Sequence, residues 1–189
     1  MNQDKEKCMA SAINLEKELS VLVQDLGNEN GLVRQRARLN LAHIGRTSIP
    51  ALLEALESPD FQTRLEAIKI LGELHAEAST APLANLLLDD DIGIRWSAME
   101  SLVRIGRASM HPLLEVFVKN FDSPLMREGL HHILHVFKDQ YMLTEQEITL
   151  FETLDKEAVS GFQLGWNSEE AWAAEKALEA LDQIQIKKR

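Results

Sequence analysis

One segment of this chain recurs four times at nearly constant spacing, and that recurrence restricts the possible folds more than any other feature. "VRQRARLNLAHIG" (33–45) aligns without gaps on "TRLEAIKILGELH" from Thr63, on "IRWSAMESLVRIG" from Ile94 and more loosely on "MREGLHHILHVFK" from Met126. Equivalent positions read Arg34, Arg64, Arg95 and Arg127; Ala37, Ala67, Ala98 and Leu130; Leu41, Leu71, Leu102 and Leu134. The arginines are 30, 31 and 32 residues apart. A fixed period of this size is the mark of a stack of identical supersecondary units, each unable to bury its apolar face alone.

Each copy has a second half. Leu52, Leu53 and Leu56 match Leu83, Ala84 and Leu87, then Leu113, Leu114 and Phe117, the i, i+1, i+4 spacing of one helical face. Pro50, Pro82 and Pro112 stand just before these runs, where a helix loses little by lacking an amide donor. Asn30, Asp60, Asp91 and Ser123 lie four residues before the recurring arginines, and all four are favourable N-caps. "NENG", "SPD", "DDDIG" and "DSP" mark the turns between copies. No alternating strand pattern is long enough to compete. The expectation is an all-α chain of about four helix pairs in a single domain.

A stack exposes an apolar face at each end, so atypical caps are expected. Residues 11–29 supply one: Leu15, Leu19, Leu22 and Leu26 form a single stripe, and Gly27 reads as the helix stop. Residues 139–189 supply the other. Thr144 and Glu147 form a capping box, Leu143 and Ile148 a hydrophobic staple, and the helix they open should run to about Ser160. A last helix from near Ser168 presents Leu178, Leu181 and Ile184 inward, with Lys187, Lys188 and Arg189 at its negative end. Whether this region extends the stack or folds back across its groove stays open.

The repeats, over 30–138, resemble HEAT repeats, and more narrowly the short HEAT-like repeats of phycobilin lyase subunits. The resemblance weakens in the fourth copy, where Leu130 replaces Ala and Lys138 replaces Gly. It implies a right-handed α-solenoid (superhelix) whose second helices line a concave face, and it implies no single activity.

Charge and composition narrow the partners. The formal net charge is −10, with 13 acidic and 12 basic residues in 30–138 but 11 and 5 in 139–189. Such a field disfavours nucleic acid, whose binding would require a strong local basic patch. The lone Cys8 cannot form an internal disulfide, and no leader-like or membrane-length apolar run is present, so a cytoplasmic protein is expected.

Four groups of residues invite a function. The recurring Arg34, Arg64, Arg95 and Arg127 could grip phosphates, but a guanidinium fork bound to an Asp or a carbonyl in the neighbouring turn is the expected use. Arg36, Arg38 and Arg46 make a local basic face in the first copy. Glu128, His132 and His135, with His131 beside them, share one helical face and offer a metal site as an alternative. Trp96, Trp166 and Trp172 are read as cap packing.

The fourth group is the outward row of the second helices. Glu54, Asn85 and Glu115 point away from the core, beside Leu86 and Val116, then Glu57, Leu88 and Val118. A partly exposed cluster of Leu86, Leu88, Val116 and Val118 with an acidic rim is the composition of a partner surface. No glycine-rich phosphate loop, nucleophile elbow, His-Glu dipeptide or His-Glu-x-x-His occurs. The function expected is therefore non-catalytic, a scaffold or adaptor holding a protein or peptide on its concave face with no cofactor. A phycobilin-lyase-type enzyme subunit or a metal-binding enzyme using the fourth-copy histidines stands as the alternative.

Overall fold

The structure is a computed structural model that describes the backbone of residues 2–160 and 168–187 and the side chains of residues 13–155 and 172–183. The side chains of Cys8, Ile184 and Lys187, and the whole of Trp166, Lys188 and Arg189, lie outside the described residues. All regular structure among the described residues is helical, and none of these helices is long and apolar enough to cross a membrane. The chain divides into two compact units, Met1–Ala76 and Glu77–Arg189.

The first unit holds α1 (Asn2–Asp25), α2 (Gly31–Ile44), α3 (Ile49–Ala55) and α4 (Phe61–Glu73). The stripe of α1 behaves as its spacing predicts: Leu19, Leu22 and Leu26 are buried and Leu15 is half-buried. It packs on α2 and α3, and α2 in turn packs on α4. Ala37, Leu41, Leu52, Ala67 and Leu71 form the core, where each large aliphatic side chain contributes roughly 1.5–3 kcal/mol on burial.

The second unit holds α5 (Thr80–Asn85), extended by a 3₁₀ turn at Leu86–Leu88, then α6 (Ile92–Ile105), α7 (Met110–Lys119), α8 (Pro124–Asp139), α9 (Glu145–Ser160) and α10 (Ser168–Lys187). α6 stacks on α8, α5 on α6 and α7, and α8 on α9. Leu83, Leu87, Leu102, Leu113, Phe117, Leu134 and Phe137 are fully enclosed.

The helix starts are those the caps require. Asn30 accepts from the Leu32 amide at 2.9 Å, Asp60 from the Thr63 amide at 2.6 Å, Asp91 from the Gly93 amide at 2.7 Å, and Ser123 from the Met126 amide at 3.4 Å. The helix stops use a left-handed residue. Gly45 (φ 70°) and Gly106 (φ 79°) end α2 and α6, which explains the recurring glycine. His75 (φ 47°) takes the same role after α4 without glycine's freedom. In the fourth copy α8 has 16 residues against 14 in α2 and α6, and the left-handed position moves from Lys138 to Tyr141 (φ 57°). The Ala76 amide reaches the Leu71 carbonyl at 3.0 Å, and the Met142 amide the Phe137 carbonyl at 2.9 Å, the 6→1 closure of a Schellman motif.

Gly27 has a different reason from the one its position suggests. Its backbone is not left-handed. A Cβ there would lie 2.6 Å from Thr63 Oγ1 and 2.7 Å from Asp60 Oδ2, so its small size lets the end of α1 meet the N-cap of α4.

Candidate functional site

The recurring arginines bond backbone carbonyls. Arg34 Nη1 donates to the carbonyls of Asn28 (2.7 Å) and Glu29 (3.0 Å), Arg64 Nη1 to Ser58 (3.0 Å) and Pro59 (3.4 Å), and Arg95 Nη1 to Asp89 (2.8 Å) and Asp90 (3.0 Å). Arg127 Nε donates to Phe121 at 2.8 Å. Each guanidinium thus closes the turn that precedes its own helix, through backbone carbonyls. The basic face of α2 is also partly consumed: Arg38 pairs at 3.1 Å with Glu66, a buried carboxylate that Lys69 and Gln62 also reach. Arg36 and Arg46 stay exposed.

Glu128, His132 and His135 do not assemble a metal site. No cluster of three ligating groups exists among the described residues. His132 turns to α6, with its ring 5.1 Å from Trp96 and Nε2 3.6 Å from Glu100. His135 lies 3.5 Å from Asp139 at its own helix end, and Glu128 is exposed. His131 stacks on Phe151 of α9 at 5.2 Å and faces Asp155 at 3.4 Å. The shared helical face is shallow, and α6 and α9 draw its members to opposite flanks.

Trp96 and Trp172 are both more than half exposed, so neither is buried cap packing. Their helices put them on the solvent side, where the sequence pattern has no apolar stripe.

The outward row is only partly as expected. Glu54, Glu57, Asn85 and Glu115 are exposed. Val116, however, is buried at 8% exposure, and Leu86, Leu88 and Val118 are half-buried, so they do not form an open apolar patch. The neighbours differ along the row: the Leu86–Leu88 turn packs on α6 and α8, whereas α7, with Val116 and Val118, packs on the last helix. α10 packs on both α7 and α9 within this unit. The inward face of α10 joins Ala173, Ala174 and Ala177, which are buried, to Leu178 and Leu181, which are half-buried. Small side chains permit close helix approach, and His111 of α7 meets Asp182 of α10 at 2.8 Å.

The first unit carries an open cleft of about 1100 Å³. Its floor comes from α1 (Leu19, Val23) and α3 (Pro50, Ala51, Ala55), and its walls carry the carboxylates of Glu16, Asp25, Glu29, Glu54 and Asp60. No Lys or Arg lines it. The Asp60 carboxyl is held below its ordinary pKa by hydrogen bonds from the Thr63 hydroxyl and amide, with a smaller contribution from Arg64. Glu54 was legible as an outward residue. Glu16, Asp25 and Glu29 were not, because the capping helix shows only its buried stripe in the pattern and not what stands opposite its charged side.

Also unsignalled were Ser48, Ser79 and Ser109, fully buried where each first helix gives way to the second. Ser48 Oγ donates to the Leu41 or Gly45 carbonyl at 3.0 or 2.7 Å, and Ser109 Oγ to Gly106 at 2.8 Å. Their recurrence was visible in the alignment of copies, but a serine in a turn is too common to stand out.

The chain is similar to known proteins. The uncharacterized protein SkfG of Bacillus subtilis (strain 168) is 34% identical over 100 residues, which make up 52% of this chain and 58% of that protein. The match thus spans less than two thirds of that relative's length. Among solved structures, the designed armadillo repeat protein YIII(Dq)4CqI aligns with 86% of this chain and 99% of its own, at 16% identity and a TM-score of 0.35. The family of HEAT repeats matches residues 19–103 and 49–130, more than half of the sequence, and the chain belongs to the HEAT-repeat family.

Proposed function

We propose that this protein is a non-catalytic binding module that takes a segment of another polypeptide in the cleft between α1 and α3. The observation that carries this reading is the contrast between the two units. In one, α10 packs against α7 and α9; in the other, a cleft of about 1100 Å³ stands open on α3. A concave apolar floor with a polar rim is the usual composition of a ligand site. Of the outward residues, Glu54 belongs to this cleft. Asn85, Leu86, Leu88, Glu115, Val116 and Val118 belong to the other unit, and the proposal does not use them as first contacts.

The test is site-specific photo-crosslinking in the native host, with benzoylphenylalanine placed at Ala51 in the cleft or at Asn40 on the exposed side of α2. A discrete light-dependent adduct from position 51, absent from position 40, is the expected result. No adduct from 51, or the same adducts from both positions, would overturn the reading.

A further inference from the structure

We infer that the segment held in this cleft is cationic and aliphatic, a stretch of a partner polypeptide in which lysines or arginines alternate with aliphatic side chains. The inference rests on the proposal that the cleft binds a polypeptide, and adds its chemistry. Five carboxylates line the cleft with no cation among them. Glu16, Asp25, Glu29 and Glu54 make no ion pair or side-chain hydrogen bond among the described residues. The fifth, Asp60, is held in its ionised form by Thr63.

The unit does not lack cations; it places them elsewhere. Arg34 and Arg64 are committed to turn carbonyls, and Arg38 and Lys69 to Glu66. Arg36 and Arg46 are exposed and outside the cleft. Like charges gathered in one concavity focus a field that an incoming cation relieves.

The floor decides between kinds of cation. Val23, Pro50 and Ala51 offer apolar surface, which a bare hydrated ion cannot use. No group of three potential metal ligands exists among the described residues. Lysine and arginine side chains suit both parts, since an aliphatic stem lies along apolar surface while its charged head reaches the rim. A polyanion is repelled.

The experiment uses the full chain and three fluorescein-labelled synthetic peptides of equal length: one alternating Lys and Arg with Leu and Ala, one with Glu at every basic position, and one with Gln there. Binding is followed by fluorescence anisotropy at low and physiological salt. The protein variants are E16K/E54K in the cleft, E18K/E73K at exposed positions outside it, and A51W, which fills the floor without changing charge. Circular dichroism and melting confirm that each folds.

The expected result is binding of the cationic peptide alone, weakened at least tenfold by E16K/E54K and by A51W, and less than twofold by E18K/E73K. Equal weakening by the two charge reversals would mean attraction to net charge only, and overturns the inference. Preference for the Gln peptide, still blocked by A51W, overturns the cationic partner while leaving the cleft as a polypeptide site. Binding of any peptide that A51W leaves unchanged removes the cleft itself, and with it the function proposed above. Self-association abolished by E16K/E54K, without peptide binding, assigns the cleft to a second copy and overturns the inference.

Discussion

Arg107 Nη1 donates to Glu147 Oε1 at 2.6 Å, joining the turn before α7 to the first turn of α9, and Glu147 is fully buried. The other oxygen of Glu147 accepts from the Thr144 amide at 2.8 Å and hydroxyl at 3.0 Å. One carboxylate therefore caps its own helix and ties it to a turn 40 residues earlier. Arg107→Ala would strand a buried charge, so a loss of about 2–3 kcal/mol is expected in urea unfolding. Arg107→Lys should recover only part of it. A loss below 0.5 kcal/mol, on the order of a surface pair, would show that water replaces the guanidinium.

Gly27→Ala sets a methyl group against the Asp60–Thr63 cap pair at 2.6–2.7 Å. Either the cap breaks or the end of α1 moves, at a cost of about 1–2 kcal/mol. Hydrogen exchange at the Thr63 amide distinguishes the two: loss of protection means that the cap gave way.

Asp60 carries the one pH dependence the structure assigns. Its folded pKa is lowered, chiefly by the Thr63 hydroxyl, so the unfolded chain binds its proton first as pH falls. Its contribution is present above the unfolded value, about 3.9, and is lost as pH drops through the lower folded value. For so exposed a group it amounts to at most about 1 kcal/mol. Asp60→Asn keeps an N-cap without the charge, so the melting temperatures of wild type and variant should differ at pH 7 and converge near pH 2. A gap that persists there would place the effect in geometry.

α10 packs on α7 and α9, and its Ala173, Ala174 and Ala177 are all buried. Ala174→Arg should lift α10 from α7 and α9, raising dye binding by the exposed apolar face and proteolysis of residues 168–187 while α5 to α8 keep their protection. His111→Ala removes the contact with Asp182 and should do the same to a smaller extent. An unchanged digestion pattern for Ala174→Arg would mean that α10 is held by other contacts.

The fold was legible where one local rule repeats. Arg34, Arg64, Arg95 and Arg127, their N-caps and the glycines at 45 and 106 each have a sequence signal because each acts within a few residues of itself. The candidate site was legible only at Glu54. Its cleft is made by α1 meeting α3, residues about 30 apart with no shared pattern, and the side of α1 opposite its leucines carries no instruction about what it will face. The seating of α10 on α7 and α9 was illegible for a related reason. An alanine seam is invisible to a search for large apolar stripes, so Leu178 and Leu181 were legible and the buried Ala173, Ala174 and Ala177 beside them were not.

The arginine bonds have a consequence for how such a chain can change. The acceptors are carbonyls five or six residues upstream, and the side chains at those positions differ freely: Asn28 and Glu29, Ser58 and Pro59, Asp89 and Asp90. Every residue type offers the same oxygen, so these turns can drift in identity without loosening, whereas a one-residue insertion moves the oxygen out of reach. Copies joined in this way tolerate substitution and resist frameshifts in spacing, which makes the turns natural places for a lineage, or a protein engineer, to write new surface chemistry.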